Sequence, residues 1–363
     1  MIIPLSILLF LLILNLLYWV FVFSKFSRFH DLNSQKIGFG GIINHSAILI
    51  AVKNEEENIL KNLPSLFDQY PKDIEFVVVD DYSTDNSVEK LNQIFALEEI
   101  KVLKNDFNPG KKQAISYAIS KIDKEYLLLT DADCFVKSKY WAKKMFEKFD
   151  SKTSIVLGYS PYTGSSLLHR FIRFETFIAA LQYFSYYLLR IPYMGVGRNM
   201  AIRKSLFVEN DGYEKHIDIK SGNDDLFVND NASFENTSIQ VDPDSFVYST
   251  PSDSLTGFIK QKSRHVSTSF RYKFLHKLLL GIYSFSHIGF YIALIFSFFV
   301  LPFYVSFSIW FFRLLIIYLT AYKSFIKLKE NDLMIYLPIL DFFMFLYYTF
   351  IGIYYFFASK NKW

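Results

Sequence analysis

A single cysteine, Cys134, stands in 363 residues, so no disulfide can form inside this chain. No Cys/His cluster has the spacing of a zinc site either. There is no isolated basic tract: 39 Lys and Arg face 35 Asp and Glu, a formal charge of +4, and the basic residues gather beside apolar runs. That distribution favours a membrane surface and argues against nucleic acid as a partner. Charge is missing altogether from Ile2 to Phe23. A helix of about 22 residues at roughly 1.5 Å rise per residue crosses a hydrocarbon core of about 30 Å. No basic segment precedes this run and no small-x-small cleavage site follows it, so it is expected to be an uncleaved anchor rather than a signal peptide. Lys25, Arg28 and Lys36 follow the span, which predicts a cytoplasmic next segment and an outside N-terminus.

What the chain has in excess is apolar surface, with 52% hydrophobic and 19% aromatic residues, too much for a soluble globule alone. Leu278–Leu301, Phe303–Ala321 and Leu333–Phe357 are three further candidate spans, the first two parted by Pro302. A hairpin of the first two leaves Lys323, Lys327 and Lys329 cytoplasmic. A third full crossing then puts Lys360 and Lys362 outside, against the positive-inside tendency, so the last segment is either re-entrant or an exception. Arg313 and Asp341 fall inside these runs, where ionisable groups are costly and tend to pair. Their charged ends are expected within about 8 Å of each other, near one Debye length at physiological salt.

Between the spans the pattern changes. Ala47–Val52 is a short buried-strand run ending in Lys53-Asn54-Glu55-Glu56-Glu57-Asn58, and Phe76–Val79 is another, ending in Asp80-Asp81-Tyr82-Ser83-Thr84-Asp85. Ile59–Tyr70 is helical in pattern, which makes the unit β-α-β with a parallel pair. Ser87–Phe95 reads as the next helix and Lys101–Leu103 as a strand. Asn108-Pro109-Gly110-Lys111-Lys112 is a turn before a helix that starts near Gln113. A lysine on that edge, Lys111 or Lys112, could neutralise a diphosphate.

The run Leu127-Leu128-Leu129-Thr130-Asp131-Ala132-Asp133 then ends a strand in two carboxylates. Ligands of an α/β sheet collect beyond the carboxyl ends of its strands. A hard cation such as Mg²⁺ or Mn²⁺ is held by one or two carboxylates together with substrate phosphates, which Asp131 and Asp133 could provide.

Together, Ala51-Val52-Lys53-Asn54-Glu55, Val79-Asp80-Asp81-Tyr82-Ser83-Thr84-Asp85 and Asp131-Ala132-Asp133 resemble the nucleotide-binding half of a membrane-bound family 2 glycosyltransferase. The resemblance covers roughly residues 45 to 270. It implies an α/β fold of the GT-A type, a mostly parallel Rossmann-like sheet flanked by helices. It places Ala51, Glu55 and Asp81 at the nucleotide, Lys111 near the donor, and Asp133 on the metal with Asp131 beside it. Met194-Gly195-Val196-Gly197-Arg198-Asn199-Met200-Ala201 resembles the family's glycine-rich acceptor segment, which puts Gly197 and Asn199 on the acceptor side.

Ser221-Gly222-Asn223-Asp224-Asp225-Leu226 carries a second acidic pair. An inverting transfer needs a carboxylate, apart from the metal pair, to take the proton of the attacking hydroxyl. Asp224 or Asp225 is the expected base. Gln261-Lys262-Ser263-Arg264-His265 resembles the Gln-x-x-Arg-Trp segment of cellulose, hyaluronan and poly-N-acetylglucosamine synthases, with His265 in the place of the tryptophan. Gln261 and Arg264 are thereby expected at the donor.

Leu167, Phe171, Phe174, Ile178 and Leu181 form an apolar stripe on a helix from Ser166 to Arg190, suited either to a membrane interface or to the domain core. The expected organisation is an anchor at 1–24, a cytoplasmic catalytic domain at 25–273 and a membrane region at 274–363. The expected protein is a multi-pass enzyme of the inner membrane acting on a nucleotide-sugar, a UDP-sugar first, and on a lipid-linked or glycan acceptor. A membrane nucleotidyltransferase and an inactive binding protein of the same fold are the rivals.

Overall fold

The computed structural model describes residues 2–31, 40–67, 73–94, 100–106, 108–219 and 221–358. Lys36, Tyr70, Phe95, Lys360 and Lys362, which figure in the expectations above, lie outside them. The chain divides into two compact units, one of residues 31–163 and 190–251 and one of residues 1–30, 164–189 and 252–363.

Among the described residues the first unit is built on nine strands: β1 (Ser46–Val52), β2 (Glu75–Asp80), β3 (Ile100–Lys104), β4 (Tyr126–Asp131), β5 (Cys134–Val136), β6 (Ile155–Leu157), β7 (Met200–Arg203), β8 (Thr237–Ile239) and β9 (Val247–Ser249). Seven of them form one sheet in the order β3-β2-β1-β4-β7-β6-β8. β1 pairs in parallel with β2 and β4, β2 with β3, and β6 with β8, while β7 runs antiparallel to both β4 and β6. β5 and β9 form a separate antiparallel ribbon.

Ile48, Ile50, Val78 and Leu128 are fully buried, as continuous apolar runs in a sheet covered on both faces require. Helices Glu56–Phe67 and Trp141–Phe146 supply Ile59, Leu63, Leu66, Trp141 and Phe146 to the same core.

The strand order leads outward from β1 to β2 and β3, then returns to β4 on the other side of β1. This makes β1/β4 the point where the winding reverses, and open α/β sheets bind ligands in the crevice at such a point. Ala51 is in register with Asp131 and Val52 with Asp80, so the acids after three parallel strands emerge at one edge.

In the second unit, Ile3–Arg28, Phe274–Val300, Phe303–Lys327 and Asn331–Tyr354 are long and apolar enough to cross a membrane. The last helix runs unbroken from Leu337 to Ala358. Arg313 and Asp341 meet as expected: Nη1 donates to Oδ2 of Asp341 and Nη2 to Oδ1 at 3.3 Å. Asn15, His287 and Tyr291 complete the network from two other helices.

Leu167–Leu188, started by the Ser166 side chain on the N–H of His169, belongs to this unit rather than to the sheet domain. Two residues of its stripe meet residues of the long apolar helices, Phe171 edge-on to Phe343 at 6.1 Å and Phe174 stacked on Phe325 at 6.4 Å between ring centroids. Arg173 on the same helix is bound by Glu330 and Asp332, 2.6 Å from each. The range 25–273 therefore includes two helices, Leu167–Leu188 and Leu255–Thr268, that are compact with the spans.

Candidate active site

The turn after β1 and the turn after β2 are tied to each other before any ligand is considered. The N–H of Asn54 donates to Ser83 Oγ at 2.9 Å, the N–H of Thr84 to Asn54 Oδ1 at 2.7 Å, and the N–H of Glu55 to Ser87 Oγ at 2.9 Å. Glu55 accepts from Asn58 Nδ2 at 2.6 Å. Burial raises its pKa. The Asn58 bond opposes that rise, and the charges of Asp133 and Asp131 add to it.

Asp81 is buried, and its carboxylate is already engaged. It takes the N–H of Gly110 at 2.7 Å, Asn105 Nδ2 at 3.2 Å and the Lys53 ammonium at 3.3 Å. Its first structural role is to anchor the turn that launches the helix Lys111–Ser120. Gly110 has φ +147° there, and an added Cβ would stand 2.3 Å from Gln113 Oε1. A glycine is required at that turn.

That turn separates the two lysines. Lys111 Nζ donates to Asp131 Oδ1 at 2.6 Å, with 42% of its side chain exposed. Lys112 is buried and turns the other way, donating to the carbonyls of His216 and Ile219 at 2.5 and 2.8 Å. Burial outweighs the attraction of Asp225, Asp218 and Asp224 and lowers its pKa. Of the two lysines, Lys111 is the one bonded to Asp131. Burial alone would depress the Lys111 ammonium, but the charges of Asp131, Asp224 and Asp133 and the bond to Asp131 hold its pKa above the usual lysine value.

Lys111 is therefore within electrostatic reach of both acid clusters. Burial and the charge of Asp131 push the Asp133 carboxyl up, against the pull of Arg198 and Lys111.

Asp224 and Asp225, neighbours at the start of helix Asn223–Asn231, part company in the same way. Asp224 accepts the N–H of Gly197 on Oδ2, and its Oδ1 has no hydrogen-bond donor among the described residues. Asp225 is buried, and it leads the charges acting on Lys112. Asp224 thus shares its surroundings with Lys111 and the Asp131/Asp133 pair.

The glycine-rich segment needs correction. Asn199 is fully buried rather than presented to an acceptor: Nδ2 donates to the carbonyls of Tyr159 and Ser245, both at 2.8 Å, and Oδ1 accepts from Trp141 Nε1 at 3.0 Å. All of its strong hydrogen-bonding capacity goes into joining three backbone segments. Gly197 is also committed to the protein, since a Cβ there would lie 3.1 Å from Asp224 Oδ2. Its lack of a side chain makes room for a carboxylate of the chain itself.

Two residues of the site were not singled out from sequence. Arg198 lies over the Tyr162 ring at 4.2 Å and donates through Nη2 to the Ser160 carbonyl at 3.1 Å, while its buried Nη1 has no hydrogen-bond partner among the described residues. A lone charge inside a glycine-rich, otherwise uncharged segment was the available signal. Tyr213 is buried, and burial with the Asp224 charge raises its hydroxyl pKa against a bond from Asn223. No local pattern marks it. Gln261, Arg264 and His265 lie on helix Leu255–Thr268 in the other unit.

Among the described residues no three His, Cys, Asp or Glu side chains are gathered to hold a metal by themselves. Asp131 and Asp133 nonetheless fit a hard divalent cation. They offer two oxygen donors, and the raised carboxyl of Asp133 is a strain that a cation would relieve. The adjacent soft donor, Cys134, is buried and hydrogen-bonded to Ser249 at 3.1 Å.

Residues 47–209 match the family model described as glycosyl transferase family 2, and over that range the chain is similar to a domain of this family. Asp224 and Asp225 fall beyond the matched range. The poly-beta-1,6-N-acetyl-D-glucosamine synthase of Staphylococcus epidermidis is 28% identical over 126 residues, covering 34% of this chain and 29% of that protein. The poly(ribitol-phosphate) beta-glucosyltransferase of Bacillus spizizenii is 35% identical over 116 residues, covering 31% of this chain and 18% of that protein. The matched stretch thus spans less than a third of either relative. The mannosyltransferase PcManGT from Pyrobaculum calidifontis, solved with GDP-Man and Mn²⁺, is similar in fold over 94% of this chain and 98% of its own, with a TM-score of 0.60 at 14% identity.

Proposed function

We propose that the chain is an inverting, membrane-embedded glycosyltransferase that moves a sugar from a nucleotide-diphosphate-sugar, a UDP-sugar in the first instance, to a lipid-linked or glycan acceptor. The sheet domain faces the cytoplasm in this reading, following Lys25 and Arg28 behind the first span. The observation that carries it is the position of Lys111, bonded to Asp131 and within the fields of both Asp133 and Asp224. One carboxylate pair for a metal and a separate carboxylate for a proton is the division of labour that an inverting transfer needs.

Asp131 and Asp133 would hold the divalent cation, Mg²⁺ or Mn²⁺. When bound, that cation supplies charge stabilisation to the departing diphosphate. Glu55 and Asp81, on the tied turns after β1 and β2, frame the nucleoside side, with Ala51 at the strand end beside them. Asp224 accepts the proton of the attacking hydroxyl at Oδ1, with Oδ2 held by the Gly197 N–H. Lys111 brings positive charge to the side where negative charge develops.

Nucleotidyl transfer leaves Asp224 without a task. Purified full-length protein with Mg²⁺ or Mn²⁺ and a panel of UDP- and GDP-sugars tests the reading. Sugar transfer, or slow donor hydrolysis releasing nucleoside diphosphate, is expected. Pyrophosphate release, or donor binding without turnover, overturns it.

A further inference from the structure

Asp131 is asked to do two things at once. Its Oδ1 lies 2.6 Å from the Lys111 ammonium, and the same carboxylate belongs to the pair suited to a divalent cation. Both partners are partly exposed, Lys111 at 42% and Asp131 at 28% of the side chain, so neither is locked by packing. The second carboxylate, Asp133, has a cation of the chain's own acting on it in Arg198. A metal that arrives alone meets two resident positive charges and must part Lys111 from Asp131. A diphosphate that arrives with it offers that ammonium a new anionic partner.

We propose, building on the assignment of Asp131 and Asp133 to the metal, that Lys111 and the divalent cation compete for the Asp131 carboxylate. Metal and donor diphosphate then bind as a coupled pair, each weakly without the other. Lys111 acts as a positioning residue that sets this coupling. The coupling is reciprocal: nucleotide raises metal affinity by the same factor by which metal raises nucleotide affinity.

The experiment is a Mn²⁺ titration of the full-length protein in detergent, followed by the electron paramagnetic resonance signal of free Mn²⁺, with and without saturating UDP. In the unaltered protein, UDP raises Mn²⁺ affinity. Lys111→Gln binds Mn²⁺ about tenfold more tightly without nucleotide, the size expected for removing one nearby like charge at a partly screened site. The gain on adding UDP shrinks in that variant. Lys111→Arg, which keeps the charge, retains weak binding of the metal alone.

The inference is overturned if Lys111→Gln binds Mn²⁺ no better than the unaltered protein in the absence of UDP, or if UDP leaves Mn²⁺ affinity unchanged in the unaltered protein. Asp133→Asn reports separately on the underlying assignment. If it keeps full Mn²⁺ affinity in either Lys111 background, the metal site itself is misplaced, whatever Lys111 does.

Discussion

The backbone N–H of Gly197 donates to Oδ2 of Asp224, which links the segment entering β7 to the acid at the start of helix Asn223–Asn231. The two residues are 27 apart in sequence. The bond engages one carboxylate oxygen, and in the proposed reaction the second takes the proton.

Asp224→Asn should lower the rate of sugar transfer by about 10²–10⁴, the range for loss of a positioned general base, with donor affinity nearly intact. Gly197→Ala should act in the same direction and more weakly, because its Cβ would press on the Asp224 carboxylate from 3.1 Å. Steady-state kinetics with a separate donor-binding assay distinguishes rate from affinity. A larger loss of rate in Asp225→Asn than in Asp224→Asn, with the fold retained, would move the base by one residue.

Metal binding should weaken on the acid side sooner than for an ordinary aspartate. Burial and the Asp131 charge raise Asp133 above its usual 3.8, so protons compete for it at higher pH, and affinity falls as pH drops through that raised value. Arg198→Gln removes a group that pulls the other way, and so should shift the loss to still higher pH. Mn²⁺ titrations with UDP across the acid range check both. Affinity that holds constant down to the ordinary aspartate range would contradict them.

Asn199→Ala should be a stability mutant. It leaves the Trp141 indole N–H and two buried carbonyls without their partner, at about 1–3 kcal/mol for each unsatisfied group. Thermal unfolding should show the loss, while the acceptor KM of the folded fraction stays close to normal. A raised acceptor KM in a fully stable variant would restore Asn199 to the acceptor side.

Within the span bundle, Arg313→Leu or Asp341→Leu alone strands a buried charge, at about 3–5 kcal/mol if it behaves as broken buried pairs do. The double variant should be less destabilised than either single one. Thermal denaturation of the three in one detergent gives the comparison, and a double variant worse than both would show that the pair is worth more than its desolvation.

The apolar runs ending in acids at Val52, Val79 and Thr130, the charge-free segment at the N-terminus and the Arg313–Asp341 pairing were all legible in the sequence. Strand burial, span length and the cost of a lone charge in an apolar run are local properties of composition and order. Only the tertiary structure showed that Lys111 bonds Asp131 while Lys112 turns to the His216 and Ile219 carbonyls, and that Asp224 meets the Gly197 N–H while Asp225 is buried. Consecutive helical residues point about 100° apart, so packing alone decides which member of such a pair reaches the cleft. Packing likewise turned Asn199 inward and brought the charge of Arg198 to bear on Asp133. Their neighbours lie at Asp133 and Cys134, at Trp141, at Ser245 and on the Tyr159–Tyr162 stretch, segments that come together only when the sheet has formed.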